Sequence, residues 1–177
     1  MKTPALTLSL PLVLLGLAVS ALAQTSQNVT CDGILVTPVV AGVASDRLGA
    51  RQTSVAATRA DELELGIVLP RVMDHGPTYE VRLYTPNGHL YQVVPVAVGM
   101  GWEHDQTRSV AGYSQPTDVV QPRNVTVDGR KVELAGWRLP LAGSDIFLSS
   151  MYGTWTAEVW PTGAGSPCAA TKFAIEP

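Results

Sequence analysis

The chain of 177 residues is poor in the residues that usually announce chemistry: it has two cysteines, three histidines and two phenylalanines, and no block of basic side chains. Two cysteines exclude a disulfide-dense scaffold and a four-cysteine zinc site. His75, His89 and His104 stand far apart, without the His-x-His or His-x-x-x-His spacing of a ligand pair. There is no Gly-x-Ser-x-Gly elbow; Gly112-Tyr113-Ser114-Gln115-Pro116 is the nearest approach. Lacking a basic cluster, the chain is a poor match for nucleic acid or for an anionic membrane surface. Only one long apolar run exists, and it lies at the N-terminus.

That run has the three parts of an export signal: Lys2, an apolar stretch from Leu6 to Leu22, and small residues Ala21 and Ala23 ahead of Gln24. Cleavage after Ala23 is the expected outcome. The competing reading, an uncleaved anchor, conflicts with Pro4, Ser9, Pro11 and Gly16, which interrupt a run already short of the ~20 apolar residues a spanning helix needs. No cysteine stands at the cleavage site, Cys31 lying eight residues past Ala23, which disfavours a lipoprotein. Residues 24–177 are then expected to form one domain without a membrane span, released to a periplasm, a cell surface or the exterior. Of the 12 Lys and Arg residues only Lys2 lies in the signal, so 11 face 15 acidic residues, a net of −4. Export to an oxidising compartment makes a Cys31–Cys168 disulfide the simplest fate for the two thiols.

After Gln24 strand alternation prevails over any helical period. Residues 34–43 and 63–69 are β-branched and Leu-rich runs of strand length. Between them, the alanines at 56, 57 and 60 allow a short helical turn, diluted by Thr, Ser and Val. The clearest unit is a hairpin over Tyr79 to Val94: Tyr79, Val81 and Leu83 share one face, Glu80, Arg82 and Tyr84 the other, and Thr85-Pro86-Asn87-Gly88 turns the chain. There Asn87 and Gly88 are both expected at positive φ. A second hairpin runs from Val125 and Val127 through Asp128-Gly129 to Lys131–Trp137. A third pairs Thr154–Trp160, with Trp155, Ala157 and Val159 inward, against Cys168–Ile175. Seven to nine antiparallel strands are predicted, enough for a sandwich.

The segments Leu139-Pro140-Leu141-Ala142-Gly143 and Tyr152-Gly153-Thr154-Trp155-Thr156-Ala157-Glu158-Val159, with the closing strand Thr171–Ile175, resemble the last strands of immunoglobulin-like or fibronectin type III-like domains in secreted bacterial proteins. The Tyr84-Thr85-Pro86-Asn87-Gly88 turn is similar to an earlier hairpin of those domains. The resemblance covers about Leu63 to Pro177 and implies an all-β, antiparallel immunoglobulin-like sandwich. It implies no catalytic residues, and its usual disulfide differs from one joining the mature N-terminus to the last strand.

For function, the aromatic side chains carry most weight. Trp155 is expected in the core, whereas Trp137 and Trp160 fall out of phase with their apolar neighbours. With Trp102 and Tyr113 they are the candidate binding residues, and residues 99–122 are expected as a long polar loop beside them, under which Trp137 and Trp160 alternatively stack. The expected function is a non-enzymatic envelope module that binds a surface protein or a glycan and needs no cofactor. An alternative gathers Met73, His75, Met100 and His104 as a soft copper site, although both methionines also suit core gap-filling. A small hydrolase is the second alternative, lacking any legible catalytic constellation. Asn28-Val29-Thr30 and Asn124-Val125-Thr126 fit the N-glycosylation pattern and stay unassigned.

Overall fold

A computed structural model describes residues 30–44, 53–70, 76–99 and 106–177. The expected signal, the Asn28 acceptor, the copper candidates Met73, His75, Met100 and His104, and Trp102 lie outside these residues. In chain order the described residues form β1 (Gly33–Val40), β2 (Val43–Ala44), β3 (Ser54–Ala56), β4 (Glu62–Leu69), β5 (Thr78–Tyr84) and β6 (Leu90–Val98). There follow β7 (Thr107–Arg108), β8 (Thr117–Val120), β9 (Arg123–Val127) and β10 (Arg130–Pro140). After a single turn of helix, α1 (Asp145–Leu148), come β11 (Gly153–Pro161) and β12 (Ala169–Glu176). The described strands number twelve because several are only two or three residues long, too short to carry a legible alternation.

These strands make two sheets, ordered β2-β1-β4-β10-β9 and β3-β12-β11-β5-β6-β8-β7. The expectation of purely antiparallel pairing needs correction in the larger sheet, where β3 runs parallel to β12 and β8 parallel to β6. Both additions arise in connections: the Ser54–Ala56 stretch extends beside the last strand, the turn expected at the alanines following it where Arg59 N–H bonds to the Ala56 carbonyl at 3.0 Å, and the expected 99–122 loop supplies β7 and β8. The 34–43 run also divides, because Ala41 and Gly42 take positive φ and return the chain as β2.

One core lies between the sheets. Ile34, Val36, Leu63, Leu65, Ile67 and Leu139 of the smaller sheet pack with Val81, Leu83, Trp155, Val159, Phe173 and Ile175 of the larger. This is the burial that period-2 alternation directs to one face. Trp155 is fully buried, donates its Nε1–H to the Met151 carbonyl at 3.0 Å, and meets Tyr91 edge-on at 5.2 Å.

The smaller sheet also buries part of its outer face, where Leu35, Val68 and Leu134 cluster with Val125, Val127 and Val132. Gly66 and Gly136 sit opposite each other in the ladder. Leu134 lies over Gly66 and the Glu64 side chain over Gly136, so a Cβ at either glycine would come within 2.5 or 2.7 Å of them. Glu64, thus held, pairs with Arg123.

The two expected tight turns differ. Asp128 and Gly129 both have positive φ, matching the type I′ hairpin. In the Thr85–Gly88 turn only Gly88 does, and its N–H bonds back to the Thr85 carbonyl at 2.9 Å. Pro86 explains the difference: its fixed φ suits position i+1 of a type I turn and excludes a primed one. The register slips by one residue beside Tyr84 as a result.

The disulfide between Cys31 and Cys168 closes one end of the sheets, with Cα atoms 5.5 Å apart. Beside it the fully buried Tyr79 donates its hydroxyl to the Thr30 carbonyl at 3.0 Å. Burial, and secondarily the charge of Asp32, push the Tyr79 pKa up to about 12.

Candidate functional site on the outer face of the larger sheet

Alternation in β5 and β11 sends Tyr79, Val81, Leu83, Trp155, Ala157 and Val159 inward, so Glu80, Arg82, Tyr84, Thr156, Glu158 and Trp160 must face outward. The antiparallel register sets Trp160 opposite Glu80, Glu158 opposite Arg82 and Thr156 opposite Tyr84. Directly opposed and diagonal side chains on one sheet face lie within reach of each other. Here the charged and aromatic members join one another both along each strand and across the pair.

Glu80 Oε2 accepts from Arg82 Nη2 at 2.7 Å and from its Nε at 3.1 Å. That bond is the foremost cause that raises the Arg82 pKa. The guanidinium carbon stands 4.0 Å from the centroid of the Trp160 ring, a cation–π contact. Trp160 Nε1–H donates to Glu158 Oε2 at 2.9 Å, and the Tyr84 hydroxyl donates to the same oxygen at 3.2 Å. Partial burial, then the charge of Glu158, raise the Tyr84 pKa.

The connection between β6 and β9 adds the sixth side chain. Val110, 2% exposed, anchors it, and Tyr113 N–H bonds to the Val110 carbonyl at 3.1 Å. Tyr113 thereby reaches Glu80; burial first, then this carboxylate, raise its pKa. The face reads Tyr113, Glu80, Arg82, Trp160, Glu158, Tyr84. Lys172, opposite Thr156 on β12, is the next charge on the same face. Two carboxylates and two cations leave it electrically balanced.

Two of the four aromatic candidates are thus brought together, Trp160 and Tyr113. Trp137 is on the other sheet, opposite Leu65, and packs partly buried against the core. Trp102 lies outside the described residues. Glu80, Arg82, Tyr84 and Glu158 were not singled out from sequence; their shared strand phase was visible, but the register that joins β5 to β11 was not. Asn124 is exposed in β9 at the margin of the smaller sheet. No family model, curated protein or solved structure matches the chain.

Chemically, the arrangement offers rigid ring surface flanked by fixed hydrogen-bond donors and acceptors, with little net charge. Aromatic side chains of this kind bury large area at small entropic cost, and Glu80, Arg82 and Glu158 are each oriented in advance by a neighbour.

Proposed function

We propose that the chain is an exported, non-enzymatic module of the cell envelope, immunoglobulin-like in architecture, that binds a glycan on the outer face of its larger sheet. The convergence of Trp160 and Tyr113 with Tyr84, Arg82, Glu80 and Glu158 carries this reading. A neutral, aromatic and hydrogen-bonding surface is complementary to sugar rings, whose C–H faces stack on aromatics and whose hydroxyls pair with carboxylates and guanidinium. The long strands, ordered β1-β4-β10-β9 in one sheet and β12-β11-β5-β6 in the other once the short strands β2, β3, β7 and β8 are set aside, support the architecture, an order similar to the A-B-E-D and G-F-C sheets of immunoglobulin domains. The disulfide and an N-terminal segment of signal type support export.

The test is co-sedimentation of the purified mature chain with insoluble cell-wall glycan from the host, before and after protease treatment of the glycan. Retention that survives protease and is lost in Trp160→Ala and Tyr113→Ala supports the reading. Retention abolished by protease would transfer the site to a protein partner. Release of soluble sugar fragments would contradict a non-enzymatic role.

A further inference from the structure

The large apolar side chains most exposed among the described residues are Val40, Val43, Leu90, Phe147 and Leu148. They come from three separate connections, yet strand direction brings all three to one end of the sheets, opposite the disulfide. The β1–β2 turn holds Val40 and Val43, the β5–β6 hairpin leads into Leu90, and α1 between β10 and β11 carries Phe147 and Leu148.

Hydrogen bonds and charge contacts make these connections contiguous. Asp61 Oδ2 accepts the Ala41 N–H at 2.7 Å, while the Asp61 carbonyl accepts the N–H groups of Leu141 and Ala142 at 2.9 and 3.0 Å, just ahead of α1. Asp145, first residue of α1, lies close enough to Tyr91 for its charge to raise that tyrosine's pKa, after the larger effect of burial. Gly153, past α1, packs so near Pro86 of the hairpin that a Cβ would come within 3.1 Å of it.

Scattered exposed aliphatics need no explanation, whereas a collected patch with a polar rim marks an interaction surface. Among the described residues the rim here is acidic. Glu62 and Arg138 pair at 3.2 Å, leaving Asp61, Asp145 and Glu176 against Arg59 among the described residues. An anionic lipid surface would be repelled by such a rim. A second copy related by a two-fold axis would set it against itself.

We infer that this end is a docking surface for a protein partner whose own apolar patch is ringed by lysine or arginine. It is separate from the glycan face, so the chain would couple a wall polymer to a protein. Apolar contact supplies the affinity and the complementary rims supply orientation and association rate.

The experiment places the photo-cross-linking residue p-benzoylphenylalanine at Leu148 of the full chain in its own host, with Lys172 on the glycan face as control. A covalent adduct with another protein is expected from Leu148 and not from Lys172. That protein, once purified, should bind the chain about tenfold or more weakly after Phe147→Ser or Leu148→Ser. Its affinity should also fall as salt rises from about 50 to about 500 mM. Absence of an adduct, an adduct of two copies of this chain, an adduct with lipid, or an affinity indifferent to the substitutions or to salt would overturn the inference.

Discussion

The two ends of the sheets are finished by opposite means. At one end the chain is joined to itself through Cys31 and Cys168, with a fully buried tyrosine hydroxyl satisfied by the Thr30 carbonyl. At the other end backbone hydrogen bonds to Asp61 hold the connections, and large apolar side chains are left facing water. Fixing the start of β1 to the start of β12 constrains segments far apart in sequence, which lets the opposite loops vary in composition without loosening the core. The difference separates what holds the fold together from what is available for recognition.

Breaking the closed end should have the largest effect. Replacing Cys31 and Cys168 by serine together removes a cross-link spanning 137 residues, with a loss of about 4–5 kcal/mol in the chain-entropy account. Urea unfolding of the oxidised chain and of the double variant measures it; equal midpoints would remove the end's structural role. A smaller effect is expected from alkali. The Tyr79 pKa, about 12 in the folded chain and about 10 when unfolded, means the folded state holds the phenolic proton more tightly. Its contribution is complete below pH ~10 and is lost as pH rises toward ~12, on the order of 2–3 kcal/mol. Tyr79→Phe should abolish that part of the alkaline loss in a pH series of unfolding curves.

On the outer face of the larger sheet, Arg82→Met removes an ion pair and a cation–π contact that remain accessible to solvent, so we expect a loss of about 1 kcal/mol or less. At the apolar end the smallest change is expected: Leu148→Ser, at a side chain 70% exposed, should leave the unfolding free energy, measured by urea titration, within about 0.5 kcal/mol of the parent. A large drop there would show that the end is structural and erase the contrast.

Much of the larger sheet's interior was legible in sequence, because Tyr79-x-Val81-x-Leu83 and Trp155-x-Ala157-x-Val159 alternate without interruption. The disulfide was legible too, for want of any other cysteine. The two-residue and three-residue strands were not, since β2, β3 and β7 take their conformation from a neighbouring strand and not from their own pattern. The place of the turn at Thr85-Pro86-Asn87-Gly88 was legible, but not its type, because the proline overrode the familiar preference of Asn-Gly. The candidate face was half legible: the outward phase of Trp160 could be read along one strand, but its partners Arg82 and Glu80 required the β5–β11 register. The apolar end was hidden for the same reason, its residues lying as far apart as Val40 and Leu148 in the chain.

The central claim is that a glycan meets the outer face of the larger sheet, and the tryptophan indoles can report it one by one. Trp160 Nε1–H is bonded to Glu158 on that face, and Trp155 Nε1–H to Met151 in the core. Titrating soluble wall oligosaccharide into ¹⁵N-labelled residues 24–177 should shift the Trp160 indole resonance in a saturable way and leave that of Trp155 in place. A saturable shift at other indoles with Trp160 unmoved, or no shift at any, would contradict the assignment.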